Sequence, residues 1–292
     1  MTAAPAGATA FAAAKVNLFL HVGPPAPDGY HPIASLFVFA DIGDRLFLGE
    51  GRAGALSLEG PFAAGLSAGP DNLIARAREA LSPGLATDLR LEKGLPLAAG
   101  IGGGSADAAA TLRLLNPLLP KPRTGAELLA IASGLGADVA ACLESRAVIA
   151  TGRGEVLSSA PRLPPLHAVL VNPGVESPTG PVFRAYDAGA VRDAVSPPMP
   201  PAFETPREVA ALVARTRNDL EAPALGLTPA IGTVLEALRD ARETLVARMS
   251  GSGATSFALC AGAAEARALA GRLGAAHPDW WVRACRLGGP WT

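Results

Sequence analysis

Apolar and polar positions change period several times along the chain. Residues 11–22, FAAAKVNLFLHV, alternate in part and end in β-favouring residues, which predicts a strand. A turn-rich PPAPDGYHP follows, sharpest at Asp28-Gly29, and IASLFVFADIGDRLFLGE then predicts one or two strands, with ALSLEG another. At Asp71 the period lengthens: DNLIARAREAL puts Leu73, Ile74, Ala77 and Leu81 on one helical face, with Asp71 the candidate N-cap. TDLRLEKGL returns to alternation, and a glycine loop then opens a helix running to about Asn116. TGAELLAIASGLG reads as a helix with a Thr124/Glu127 capping box, GADVAACLES as a short helix, and RAVIATGRGEVLSS as strand-turn-strand.

APRLPPLHAVLVNPG resembles a domain junction running into a strand, and the proline-rich residues 194–209 an irregular connection. Helices are expected over 206–216 and 229–241, then strand, tight glycine loop and strand in ETLVARMSGSGATSFALC. AAEARALAGRLGAA predicts a helix and DWWVRACRL a last strand. Without a regular βαβ repeat, this mixture favours α+β in two domains, 1–158 and 159–292, over a doubly wound sheet.

Composition narrows the classes. A 292-residue chain, 49% hydrophobic and 17% charged, can bury a sizeable core. A net charge of −1 gives no general attraction to nucleic acid or an anionic membrane, so a charged ligand needs a local site. Cys142, Cys260 and Cys285 lack metal-ligand spacing and form no even disulfide framework. The stretch before Lys15 has no basic residue, and no apolar run approaches the roughly 20 residues that cross a bilayer. A cytoplasmic protein is expected, its oligomeric state left open.

The candidate chemistry centres on GIGGGSADAAATL, residues 100–112. Glycine is poor and alanine good inside a helix, so this is a loop feeding a helix N-terminus. Such a loop exposes N–H groups that suit a phosphate; the competing explanation is a tight turn packed closely under another element. A Walker loop would need a Lys after the glycines, and a dinucleotide fingerprint would need Gly where Ser105 stands.

LPLAAGIGGGSADAAA resembles the Pro-x-x-x-Gly-Leu-Gly-Gly-Gly-Ser-Ser loop of the GHMP kinases. Similarity continues in GADVAACL, GRGEVL, NPGVESPTGPVF, RNDLE and MSGSGATSFALC, in the family's order. AKVNL with DGYHP resembles the branch whose acceptor alcohol carries a cytidine diphosphate, on the non-mevalonate route to isoprenoid precursors. The resemblance implies a two-domain fold: an ATP-binding N-terminal domain like domain 2 of ribosomal protein S5, and a ferredoxin-like α/β C-terminal domain. It implies ATP and Mg²⁺, and a small-molecule substrate.

The same resemblance distributes roles. Asp138 becomes the base facing the substrate hydroxyl, against the plainer alternative of an N-cap carboxylate. Lys15, in an otherwise apolar strand, would pair with Asp138 and stabilise charge on the reacting oxygens. Asn17, two residues on and pointing the same way, would contact substrate. Tyr30 would stack on cytosine, His31 would bond its polar edge, and Phe183 would cover its other face; loop anchoring and core packing compete. Pro96, Gly100, Gly102, Gly103, Gly104 and Ser105 would surround the nucleotide, with Asn72 nearby; Ser105 also suits helix capping or Mg²⁺, and Asn72 plain capping. No carboxylate cluster announces a metal cage, so no metal ligand is named. Ala98, Ala106 and Ala140-Ala141-Cys142 depart from the family pattern, putting in question loop width, one hydroxyl contact and the pocket wall. Rivals are another GHMP kinase such as a homoserine or mevalonate kinase, a non-catalytic binding regulator on the same fold and, more distantly, a Rossmann oxidoreductase.

Overall fold

Two long antiparallel strands form the spine, β1 (Thr9–Val22) and β2 (Ile33–Leu48). β1 is buried along nearly its whole length, which is why it reads as an apolar run rather than a clean alternation. Register shifts at Ala13/Lys15 and Asn17/Phe19 let it serve two cores. The computed structural model describes residues 7–51, 53–189 and 192–292; the first six residues, part of the stretch read for targeting signals, lie outside it.

The rest of the N-terminal half is β3 (Leu56–Glu59), α1 (Leu73–Leu81), β4 (Leu89–Glu92), α2 (Gly103–Leu115), α3 (Gly125–Leu135), α4 (Ala137–Glu144), β5 (Val148–Thr151) and β6 (Val156–Ser159). Then come β7 (Leu166–Asn172), α5 (Thr179–Asp187), α6 (Pro206–Arg215), α7 (Glu221–Leu227), α8 (Ala230–Arg239), β8 (Thr244–Met249), β9 (Ser256–Cys260), α9 (Ala263–Ala276) and β10 (Trp281–Gly288). Among the described residues the strands form one mixed sheet, β3-β4-β2-β10-β7-β9-β8, with β1 and β5 also paired to β2 and β6 to β5. The architecture is α+β. The last strand, β10, joins the two halves by pairing with β2 through Leu287 and Gly288 and with β7 through Trp281–Leu287.

One core lies between β1–β2 and helices α1, α2 and α4, around Phe37, Phe39, Ile74, Leu112 and Val139. A second lies across the spine, where Val16, Leu18 and Val38 meet Leu170, Phe257 and Val213. The small side chains Ala106, Ala108, Ala109 and Ala110 let α2 pack deep in the first core.

The predicted elements are present, β2 as one strand of the one or two expected, with two differences. The α1 cap is Asn72, whose side chain accepts from Ile74 N at 2.9 Å; Asp71 instead accepts from the Ser67 hydroxyl. α5 and α7 carry no strong sequence signal because proline and glycine interrupt their short apolar patterns. The Thr124/Glu127 capping box is formed in both directions.

Candidate active site

The glycine loop is held from below by main-chain bonds. Lys15 N donates to Ile101 O (2.9 Å), Thr255 N to Ala99 O (3.1 Å) and Ser177 N to Ala98 O (3.2 Å). The second glycine loop, 250–254, abuts it: Ser250 Oγ donates to Gly100 O at 3.0 Å, and Asn218 Nδ2 donates to Met249 O and Gly251 O. This contact explains Gly100. Its φ is +71°, and a Cβ there would lie 2.4 Å from Ser250 O and 2.6 Å from Gly253 O. Gly104 differs: a Cβ there would meet only Leu73 Cδ1, at 3.6 Å. Close packing is therefore met at Gly100, while Gly104 leaves room for a ligand. Gly102 and Gly103 lie close to the side chains of Lys15 (3.3 Å from a Cβ) and Lys93 (3.0 Å), and Gly104 faces open space.

That space is divided by the loop. On one side a cavity of ≈370 Å³ is lined by Lys15, Asn17, Gly102, Ser105, Asp138 and Phe183, among others including Gly100. On the other, a cavity of ≈530 Å³ is lined by Asn72, Pro96, Gly102, Gly103, Gly104 and Ser105 with Lys93 and Asp107. Gly102 and Ser105 line both.

In the first cavity Lys15 Nζ meets Asp138 Oδ2 at 3.0 Å, with the lysine side chain 6% and the aspartate 31% exposed. Lys15 also lies 4.4 Å from the Phe37 ring centroid, so its charge is held by one carboxylate and one aromatic face. Asp138 is in the first turn of α4, one residue inside the Gly136–Ala137 boundary, and is not the N-cap; its charge still complements the helix dipole. Asn17 is fixed by a chain of bonds. Ser35 Oγ gives its hydrogen to Phe19 O (2.5 Å), so it accepts from Asn17 Nδ2 (2.9 Å). Asn17 Oδ1 is then a buried acceptor with no partner among the described residues, suited to a ligand hydroxyl.

The aromatic group sits at one edge of this cavity. His31 Nε2 bonds Asp187 Oδ1 at 2.7 Å, and its ring lies 4.9 Å from that of Phe183. Tyr30 is 59% exposed, with the Arg153 guanidinium 4.3 Å from its ring centroid; Arg153 also pairs with Asp28 and lines the cavity. Tyr30 and His31 are not among the lining residues, but each contacts one that is.

Three expectations change. Gly102 is the N-cap of α2, so Ser105 does not cap it; Ser105 faces the cavities. Ala106 is 1% exposed, packs in the first core and lines neither cavity. Ala140, Ala141 and Cys142 are buried in the same core and line neither cavity. Ala98 does line the second cavity, at φ +45°, a left-handed backbone where glycine is favoured.

Arg153, Asp187, Lys93 and Asp107 were not found from sequence. Arg153 lies in the GRGEVL block and Asp107 in the GIGGGSADAAATL motif, but neither stands out there as a site residue. Lys93 and Asp107 come from distant positions, with Asp44, to form a buried ion cluster behind the loop.

Two cavities meeting at a glycine-capped helix, with a lysine–aspartate pair in one, suit the transfer of a group between two bound small molecules. Models described as GHMP kinases N terminal domain and GHMP kinases C terminal match residues 72–146 and 201–279. The 4-diphosphocytidyl-2-C-methyl-D-erythritol kinase of Caulobacter vibrioides (strain NA1000 / CB15N) is 58% identical over 286 residues, covering 96% of this chain and 99% of that one. A crystal structure of 4-(cytidine 5'-diphospho)-2C-methyl-D-erythritol kinase superposes with TM-score 0.75 at 35% identity, covering 97% of this chain and 100% of the other. A homoserine kinase from Cytophaga hutchinsonii shares the fold, with TM-score 0.68 at 19% identity over 99% of this chain and 97% of that one. The chain belongs to the family of the 4-diphosphocytidyl-2-C-methyl-D-erythritol kinases.

Proposed function

We propose that this protein transfers the γ-phosphate of ATP to the 2-hydroxyl of 4-diphosphocytidyl-2-C-methyl-D-erythritol, in the non-mevalonate route to isoprenoid precursors. The observation that carries this reading is the Lys15–Asp138 pair, set in a cavity that shares Gly102 and Ser105 with a second cavity across the glycine loop. The acceptor alcohol occupies the first cavity and the nucleotide the second. Asp138 takes or orients the hydroxyl proton, a role worth about 10²–10⁴-fold for a positioned group. Lys15 places its charge on the reacting oxygens, and Asn17 Oδ1 accepts from a substrate hydroxyl.

The residues of the second cavity suit a triphosphate. Gly103 and Gly104 stand at a helix start, where main-chain N–H groups are free; Lys93 Nζ lies close to Gly103, and Gly104 faces open space. Among the described residues no group of three His, Cys, Asp or Glu side chains could hold a metal. Mg²⁺ would arrive with the nucleotide, held by its phosphates, whose charge it would neutralise.

The cytidine end lies toward Phe183, His31 and Tyr30. With Nε2–H donating to Asp187, His31 Nδ1 is an acceptor matched to the exocyclic amine of cytosine. Phe183 and the exposed Tyr30 ring supply the stacking faces. The cytoplasm suits the three buried, free cysteines. The division near residue 158 belongs to the same proposal, with β7 opening the C-terminal part.

Calorimetric binding of CDP tests the assignment. Phe183→Ala and Tyr30→Ala should each weaken CDP by about 1–3 kcal/mol, the worth of one stacked base. Unchanged CDP affinity in both variants would transfer the preference to a kinase of an uncytidylated alcohol.

A further inference from the structure

Behind the glycine loop, two carboxylates share one ammonium. Lys93 Nζ donates to Asp44 Oδ2 at 2.5 Å and to Asp107 Oδ2 at 2.8 Å, and the three side chains are 2%, 0% and 4% exposed. The carboxylates are not equally served. Asp44 Oδ1 accepts from Gly94 N (2.7 Å) and Leu95 N (2.8 Å), so that group has three donors. Asp107 has only Lys93, and its Oδ1 is buried without a partner among the described residues. With both carboxylates ionised the cluster carries one uncompensated negative charge, almost wholly withdrawn from water.

That charge lies against the nucleotide cavity. Asp107 is in the second turn of α2, and Lys93 Nζ stands 3.0 Å from where a Cβ on Gly103 would be. Both side chains line the cavity with Gly103 and Gly104. A polyanion on the loop therefore meets a buried carboxylate of like sign, the arrangement that favours taking up a proton.

We propose that Asp107 takes up a proton from solvent when a nucleoside triphosphate settles on the glycine loop, and returns it when the nucleotide leaves. The proton bonds to an Asp107 carboxyl oxygen, leaving Lys93 and Asp44 as a neutral pair under the phosphates. This inference rests on the assignment of the loop as the nucleotide site. Burial pushes the Asp107 carboxyl up to about 7, with Asp44 adding to the rise and Lys93 opposing it, so the group is poised to change charge near neutrality. From the other packed elements, α4 brings Cys142, whose thiol burial pushes up and keeps neutral, and α1 packs through Ile74 and Ala77. Asp107 is thus a positioning residue, acting on the phosphates through Lys93 and the charge of the cluster.

Calorimetry of adenosine 5′-(γ-thio)triphosphate with Mg²⁺, in two buffers of different ionisation enthalpy, tests this, because the terminal thiophosphate is already ionised at pH 7.5. The wild-type protein should take up about 0.5–0.75 proton per nucleotide at pH 7.5, and its affinity should fall about five- to tenfold from pH 6 to pH 8. Asp107→Asn, which mimics the protonated group, should take up none and bind with an affinity flat over that range. Binding without uptake by the wild type, or equal uptake by both proteins, overturns the inference. Should Asp107→Asn not fold, difference infrared spectra of the wild type labelled with ¹³C-aspartate decide: a protonated-carboxyl band must appear on nucleotide addition, and its absence is contrary. Failure of the wild type to bind the nucleotide at all would overturn the nucleotide assignment itself, and the inference with it.

Discussion

The two kinds of glycine in the loop predict opposite outcomes for the same chemical change. In Gly104→Ala the added methyl meets only Leu73 Cδ1, at 3.6 Å, an ordinary van der Waals contact. The residue lies in the first turn of α2, where exchanging glycine for alanine favours the helix by up to about 1 kcal/mol. Tm should therefore hold or rise by about 1–3 °C for a chain of this size. The methyl also enters the cavity where the phosphates are placed, so KM for ATP should rise at least about tenfold, about 1.4 kcal/mol, while CDP affinity stays unchanged. Gly100→Ala reverses the pattern. The left-handed backbone at φ +71° costs about 1–2 kcal/mol with a side chain. Overlap with Ser250 O, 2.4 Å away, adds about 1–3 kcal/mol, for a loss of about 2–5 kcal/mol. The assay is thermal unfolding beside steady-state ATP kinetics for each variant. An unchanged ATP KM in Gly104→Ala would refute the phosphate cradle, and a Gly100→Ala protein as stable as the parent would refute the loop-on-loop packing.

Other substitutions separate stability from chemistry. Asp138→Asn should lower kcat about 10²–10⁴-fold while ATP binding by calorimetry is kept; a loss of binding instead would make the residue a nucleotide ligand. Thr124→Ala removes the capping box of α3 and should cost about 1 kcal/mol in urea unfolding, with kcat unaffected. Acidification should weaken the same cap: Thr124 N–H and hydroxyl hold the Glu127 carboxyl below its usual range, so the stabilisation is present above that range and fades as pH falls through the lowered value. Ala98→Gly relieves the left-handed strain at φ +45°, worth about 1–2 kcal/mol, against an entropic cost of about 0.4–1 kcal/mol, so stability should hold or rise slightly.

What was legible from the sequence was local. The Thr124/Glu127 pair, the long apolar run of β1 and the glycine-to-alanine junction each declare themselves within a few residues, and each is found in the structure. The α1 cap was misplaced by one residue because Asp71 and Asn72 are both good caps, and only the backbone decides between them. α5 was hidden by the proline and glycine of SPTGPVF, yet it carries Phe183 and Asp187 to the cavity edge. The Lys93 cluster was invisible for a different reason. Asp44 and Lys93 stand in locally unremarkable surroundings and Asp107 at the end of the glycine motif, and only the pairing of β2 with β4 and the docking of α2 bring them together. Nor does glycine content reveal which glycine answers to packing and which to open space. Gly100 and Gly104 look alike until the second glycine loop is placed against one of them.

The most direct test of the account is ADP release from ATP and Mg²⁺ by purified protein, with 4-diphosphocytidyl-2-C-methyl-D-erythritol, homoserine, mevalonate and galactose as acceptors and Asp138→Ala alongside. The account predicts turnover with the cytidylyl substrate alone, lost in the variant. Turnover with another alcohol, or none from folded protein that binds ATP, would contradict it.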